Sequence, residues 1–254
     1  MAPGAATEFR QRIRQKEHVF GTFIKTPTSH ATEIIGSVGF DFVIIDQEHA
    51  PFDRGTIDLA CLGARAAGTT ALVRVAEPTP ANILSVLDLG AAGVLVPHVD
   101  SPAKAQEVAA ACRYRNGNRG YSNTTRAGDF GATSLEDHIA RQDERVICVA
   151  MIEDEAALQH LPAIAAVEGI DAFFIGRGDL TAALGVERMQ VAVRQIAAAT
   201  RAAGMPTMVL VSSRADARAM RELGATAFVV SNDQGFLKSA AAAALKDYGD
   251  PATW

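Results

Sequence analysis

The stretch Phe42-Val43-Ile44-Ile45-Asp46-Gln47-Glu48-His49-Ala50-Pro51 decides the fold of this chain. Four apolar residues, three of them β-branched, run straight into two acids, an amide and an imidazole, and a proline closes the run. A short continuous apolar run bounded by turn residues reads as a strand buried on both faces, as in a parallel sheet covered by helices. Polar residues at the C-terminal end of such a strand lie where α/β barrels and open α/β sheets keep their chemistry. The alternative is a solvated strand end whose aspartate merely caps the next helix. One stretch leaves both open, and its neighbours decide.

Outward from this strand a unit repeats: apolar strand, polar strand end, amphipathic helix, glycine, next strand. Gly39, Gly68, Gly90 with Gly93, Gly169, Gly204 and Gly224 each precede an apolar run. Glycine just past a helix adopts the left-handed conformation that ends it without a Cβ penalty. Thr79-Pro80 and Ser101-Pro102 pair an N-cap with a first-turn proline, and Asp53, Asp154 and Ser213 are further candidate caps. The apolar runs predict strands over 19–25, 42–48, 70–75, 94–99, 146–153, 172–176, 207–211 and 227–231. Eight strands alternating with helices in 254 residues fit a single-domain α/β fold, the (β/α)8 TIM barrel. An open doubly wound sheet would more often carry a GxGxxG turn after its first strand, and none is present. Residues 1–18 read as a lead segment with a short polar helix, and 19–254 as the barrel domain.

Composition narrows the function. A formal charge of −5 with no basic block argues against a nucleic-acid partner. No run approaches the ~18 apolar residues of a membrane helix, and the polar, basic start lacks a signal-peptide core. Cys61, Cys112 and Cys148 sit in apolar segments without CxxC spacing, so they read as buried thiols of a reducing compartment, the cytoplasm. Between the fourth and fifth strands a Gly- and Asn-rich segment, 116–131, is too long for a simple connection. Such loops are usually functional, and this one is expected to be a substrate lid on the strand-end side.

In a barrel the strand ends converge on one mouth. They bring Asp46, Glu48 and His49; Arg74; Pro97-His98; Glu153-Asp154; Arg177, Gly178 and Asp179; and Ser231-Asn232-Asp233. Arg74, among apolar neighbours, must find an anion, either a substrate or a structural partner such as Glu48. Glu153 and Asp179, at adjacent strand ends, suit a hard cation such as Mg²⁺ or Mn²⁺, which often takes only one or two protein carboxylates. Helix capping is the alternative for both. His49, three residues after Asp46, suggests a base oriented by a carboxylate. His98 is a weaker candidate that lines the mouth, while His18, His30, His138 and His160 read as surface residues. Lys25, at the end of the first strand, is the one strand lysine and lies far in sequence from the polar cluster, which argues against a Schiff-base mechanism.

Gly39-Phe40-Asp41 with Ile45–Pro51, Leu72-Val73-Arg74-Val75, Leu95-Val96-Pro97, Ile152-Glu153, and Phe174-Ile175-Gly176 through Asp179-Leu180 to Leu184-Gly185 carry a resemblance across essentially the whole domain. The chain resembles the class II, metal-dependent pyruvate aldolases of the HpcH/HpaI aldolase/citrate lyase family. The resemblance implies reversible aldol cleavage of a 4-hydroxy-2-oxo acid to pyruvate and an aldehyde through a metal-bound enolate. Glu153 and Asp179 would bind Mg²⁺ or Mn²⁺, with Co²⁺ or Zn²⁺ as further options. Arg74 would hold the 2-oxo oxygen, and His49, oriented by Asp46, would move protons. Backbone around Gly178 and Asp179 would cradle the carboxylate. Asp88 matches an acid that family members present to a neighbouring subunit's site, in a hexamer built as a trimer of dimers. Met151 stands where the family often has Gln, and the 116–131 segment is unlike the aldolase type. The rival readings are a CoA-thioester lyase of the same family, for which only Arg119, Arg126 and Arg177 offer basic contacts, and a non-catalytic phosphate-binding barrel.

Overall fold

A computed structural model describes residues 5–249; residues 1–4 of the lead segment and 250–254 of the barrel domain lie outside that range. In chain order the first half comprises α1 Ala5–Arg14, β1 Val19–Ile24, α2 Ser29–Ser37, β2 Phe42–Asp46, α3 Arg54–Ala67, β3 Thr70–Arg74, α4 Pro80–Asp88, β4 Gly93–Val96 and α5 Pro102–Ala111. The second comprises α6 Leu135–Arg145, β5 Ile147–Ile152, α7 Leu161–Ala165, β6 Ala172–Ile175, α8 Arg177–Leu184, α9 Val186–Ala202, β7 Thr207–Val211, α10 Arg214–Glu222, β8 Ala227–Asn232 and α11 Asp233–Tyr248. All eight strands pair in parallel, and β8 pairs with β1 to close the barrel. This is the expected (β/α)8 fold.

Strand parity places the site. Phe42 and Ile44 of β2, Leu72 of β3, Ile147, Val149 and Met151 of β5, and Phe174 of β6 fill the barrel interior. Val43, Ile45, Val73, Cys148, Ala150 and Phe173 instead pack outward under the helices. Because side chains alternate along a strand, the next inward positions are Asp46, Arg74 and Glu153. The ladders stop one to three residues short of most predicted C-terminal ends. At β4 the cause is visible: Pro97 has no N–H to donate, and His98 sits at φ +53.

Most of the helix punctuation stands. Gly39, Gly68, Gly90, Gly169, Gly204 and Gly224 all have positive φ. Gly93 differs; it opens β4, where a Cβ would lie 2.3 Å from the Ile147 carbonyl oxygen. Asp53, Thr79, Ser101 and Ser213 accept first-turn backbone hydrogens as caps. Asp154 makes no such bond and faces the His98 ring instead, with Oδ2 3.2 Å from Nδ1. His138 is not a surface residue. It is fully buried on α6, its Nε2 3.0 Å from the Tyr114 hydroxyl.

Two segments close the barrel's outer surfaces. The polar helix expected in the lead segment is α1, and its Phe9 and Ile13 join the interior cluster, closing the N-terminal floor. Burial of two such side chains contributes about 1.5–3 kcal/mol each. Arg10 ties α1 to Asp171 and to the Asp143 carbonyl. The 116–131 segment is not a lid over this chain's mouth. It leaves the C-terminal end of α5, where the chain has already returned towards the floor, and packs along the flank. There Arg119 binds Asp88, Arg126 binds Asp58 and Gln142 donates to the Ala127 carbonyl. At the other end of the chain α11 departs from the barrel. Phe236 stacks near Phe40, but Leu237, Leu245 and Tyr248 are 71%, 76% and 70% exposed.

Candidate active site

The C-terminal mouth opens into a cavity of about 520 Å³. Phe23, Met151 and Phe174 line its base, while Lys25, His49, Arg74, Gly178 and Asp179 supply polar wall. Asp46 and Arg74 are directly paired in the β2–β3 register. Both carboxylate oxygens of fully buried Asp46 accept from Arg74, Oδ1 from Nε at 2.9 Å and Oδ2 from a terminal nitrogen at 2.8 Å. The other terminal nitrogen lies 3.3 Å from Glu48 Oε2, and the guanidinium sits 4.9 Å above the Phe23 ring. Burial alone would raise the Asp46 pKa, but Arg74, Lys25 and the His49 amide outweigh it and hold the carboxyl below its usual range.

Asp46 does not orient the His49 ring. Its Oδ1 accepts the His49 backbone N–H at 3.1 Å. The half-exposed imidazole points towards Glu48, with Nε2 3.6 Å from Oε2. The three-residue spacing therefore fixes the turn rather than the tautomer.

The opposite wall is acidic. Glu153 is buried, and one oxygen accepts the His98 backbone N–H at 3.0 Å. Burial pushes the Glu153 carboxyl up; His98 opposes the rise, and Asp179 and Glu48 add to it, to a value of about 7. His98 moves up as well: its burial favours the neutral ring, but Asp154, Glu153 and Glu48 together prevail. Gly176 makes room for the acid, since a Cβ there would lie 2.4 Å from Glu153 Cβ. Asp179 is in the first turn of α8, whose start has no side-chain cap. Free N–H groups at a helix start suit an anion, and at Gly178 the space a Cβ would take is open.

These donors fit a hard divalent cation. The Glu153 carboxyl is close-packed by Gly176 and lies within electrostatic reach of Asp179 and Glu48. A cation would relieve that repulsion. Among the described residues no group of three or more His, Cys, Asp and Glu side chains could hold a metal by itself. Two carboxylates, with water and substrate completing the shell, are the arrangement left for Mg²⁺ or Mn²⁺.

Asp88 lies outside this mouth. At the C-terminal end of α4 it opposes the helix dipole, and Arg119 offsets it at 3.2 Å. Burial pushes the Asp88 pKa up against the Arg119 charge. Of Arg119, Arg126 and Arg177, weighed as contacts for a CoA ester, only Arg177 lines the cavity. It is clamped by Asp216 at 2.7 and 2.8 Å and donates to the Leu210 carbonyl.

Lys25, read from the sequence as remote from the polar cluster, lies at the mouth, and Ser231, expected there, reaches it through an irregularity of the backbone. Lys25 Nζ lies 2.7 Å from Asp46 Oδ2. Its signal was parity: Val19 and Phe23 face inward, so residue 25 does too. Ser231 lines the cavity at φ +52, where the β8–β1 register shifts. Such bulges re-aim side chains near functional sites, and local sequence does not announce them.

The chain is similar to known proteins along most of its length. The family model described as HpcH/HpaI aldolase/citrate lyase matches residues 20–240. A 5-keto-4-deoxy-D-glucarate aldolase of Escherichia coli O6:H1 is 32% identical over 240 residues, 92% of this chain and 93% of that protein. An HpcH/HpaI aldolase/citrate lyase family protein from Burkholderia cenocepacia J2315 superposes with a TM-score of 0.90 at 27% identity, covering 96% of this chain and 100% of that one. The citrate synthase SbnG superposes with a TM-score of 0.84, also at 27% identity, covering 94% and 96%.

Proposed function

The chain belongs to the HpcH/HpaI aldolase/citrate lyase family and is a lyase of the aldolase type, and from that premise we propose that it cleaves a 4-hydroxy-2-oxo acid reversibly to pyruvate and an aldehyde. The observation that carries this reading is the Arg74 guanidinium, fixed by Asp46 and Glu48 and lining the cavity that Asp179 also lines. Cleavage of the C3–C4 bond sends an electron pair to the 2-oxo oxygen, and a preorganised cation stabilises the charge as it develops.

Glu153 and Asp179 would hold a divalent cation, Mg²⁺ or Mn²⁺, whose chemistry when bound is Lewis-acid polarisation of the oxo acid. The backbone at Gly178 and Asp179 receives the substrate carboxylate. His49 takes the proton from the 4-hydroxyl and returns one to C3 of the enolate. Phe23, Met151 and Phe174 keep the base of the cavity apolar. A 5-keto-4-deoxy-glucarate-like sugar acid is one candidate substrate, given the relative's activity. Asp88, remote from this chain's own mouth, would serve a neighbouring copy's site in a hexamer made as a trimer of dimers. The exposed outer length of α11 offers apolar surface for such assembly. The three free buried thiols fit a cytoplasmic enzyme, and among the described residues no helix is long and apolar enough to cross a membrane.

The rivals find less support. Arg119, Arg126 and Arg177 are each ion-paired to an aspartate, so none of the three stands ready for the phosphates of a CoA ester. After β8, where a phosphate-binding barrel would want free N–H groups, the Gly235 N–H already donates to Asn232 Oδ1 at 2.9 Å. The test is pyruvate release from a panel of 4-hydroxy-2-oxo acids, with EDTA and then added Mg²⁺, Mn²⁺, Co²⁺ or Zn²⁺. Chelation is expected to abolish release and a divalent ion to restore it. Activity that survives exhaustive chelation overturns the metal reading, and cleavage of CoA esters alone overturns the substrate class.

A further inference from the structure

Lys25 stands one residue past β1, and its placement is over-determined. Its backbone N–H donates to Asp233 Oδ1 at 2.7 Å, the Thr26 N–H donates to Oδ2 at 3.0 Å, and the Gln234 amide reaches the Lys25 carbonyl at 3.4 Å. The first turn of α11 thus clamps the exit of β1. Inward parity then carries the ammonium into the cavity and onto Asp46.

The consequence is a charge balance. Arg74 touches two carboxylates through all three of its nitrogens. Taken alone, that trio carries a net charge of −1, so the cation meant for a developing oxyanion would be over-neutralised. Lys25 is the fourth member. It shares Asp46 Oδ2 with Arg74 and brings the quartet to neutrality. Buried charges at these separations are weakly screened, so a whole unit of charge at 2.7 Å from Asp46 alters the potential that a substrate oxygen meets at Arg74.

We propose that Lys25 is a positioning residue for the enolate-forming step: it takes up the charge of Asp46, so that Asp46 and Glu48 hold Arg74 in place without spending its positive charge. The inference rests on the aldolase reading. It assigns Lys25 no covalent role, because its Nζ is engaged by Asp46 Oδ2 at 2.7 Å and a Schiff base needs a nitrogen free to attack the carbonyl carbon.

The test uses Lys25→Met, Lys25→Arg and the parent protein with Mg²⁺, following deuterium exchange at the pyruvate methyl by NMR and pyruvate release from the cleaved acid. Lys25→Met is expected to slow both turnover numbers by on the order of 100-fold, the effect of losing an oxyanion-stabilising group, while KM for pyruvate stays within about threefold. Lys25→Arg, which keeps the charge, recovers most of the rate. If Lys25→Met does not fold, as judged by circular dichroism, Lys25→Gln takes its place in the same assays. A neutral variant within about threefold of the parent overturns the inference, as does a loss that Lys25→Arg leaves equally deep at parental Tm. A pyruvyl adduct on Lys25 after borohydride overturns it in favour of covalent catalysis. A parent that neither exchanges methyl protons nor releases pyruvate overturns the aldolase reading itself, and this inference with it.

Discussion

On the β1–β3 side of the mouth, two cations and two carboxylates face one another at 2.7–3.3 Å, and both oxygens of the buried Asp46 are satisfied. On the β4–β6 side, Glu153 has Asp179 and Glu48 as charged neighbours, with His98 the opposing group, and its carboxyl is held up near 7. Both walls are built at the same strand-end level of one barrel, each around a buried carboxylate, Asp46 or Glu153. In the first, Arg74 and Lys25 already engage both oxygens of Asp46, while the buried Glu48 Oε2 has Arg74 at 3.3 Å without a hydrogen bond. The second is short of positive charge among the protein's own groups, which is what the proposed divalent cation would supply. In that reading the first wall receives the developing charge and the second holds the exchangeable ion.

The sharpest way to break the comparison is to remove the acidic wall. Glu153→Ala and Asp179→Ala are each expected to abolish Mn²⁺ binding by titration calorimetry and turnover with it, while circular dichroism still shows a folded barrel. Parental Mn²⁺ affinity in either variant would show that the acids serve only the fold. On the opposite wall, Arg74→Lys keeps the charge but loses the planar fork that grips Asp46. It should cost on the order of 100-fold in turnover with little change in metal affinity, and turnover within about threefold of parental would remove Arg74 from the chemistry.

Between the walls, His49→Ala is expected to slow methyl-proton exchange while pyruvate binding persists. An unchanged exchange rate would pass the proton role to His98, which is also in reach of Glu48 and Glu153.

The smallest effect concerns the support of the acidic wall. Arg177 holds the Asp216 carboxyl down at about 2, with burial opposing and the Ser212 amide assisting. A depressed carboxyl pKa contributes stability that is present above the ordinary aspartate value of about 4 and lost as pH falls towards the folded value. Asp216→Asn should therefore lower Tm at neutral pH by a few degrees, and the gap to the parent should close as the pH approaches 2. A gap that is constant with pH would mean that packing, not the ion pair, is what the substitution removes.

Much of this was legible from apolar runs and punctuation. The runs located eight strands, and the convergence of their C-terminal ends in a barrel put Asp46, Arg74 and Glu153 at one mouth. What escaped depends on relations that span the closed barrel. Asp46 and His49 look like a catalytic pair because they are three residues apart, yet the Asp46 side chain points inward and grips a residue on the next strand. Lys25 looked isolated because its partner is 21 positions away in sequence, although closure of the barrel makes them neighbours. The 116–131 segment has the composition of a lid, but composition does not say which end of a helix a loop leaves. In an eight-fold β/α repeat, everything that follows a helix starts at the floor.

The floor has its own consequence, in the order of assembly. Helix α1 precedes in the chain the surfaces that receive it: its Phe9 and Ile13 join a cluster of inward residues from β1 to β8, and Arg10 reaches Asp171, 161 positions downstream. A ten-residue helix is marginal by itself in water. So α1 meets its full seat only as the later strands form, and its Arg10 anchor is complete only once Asp171, just before β6, is in place.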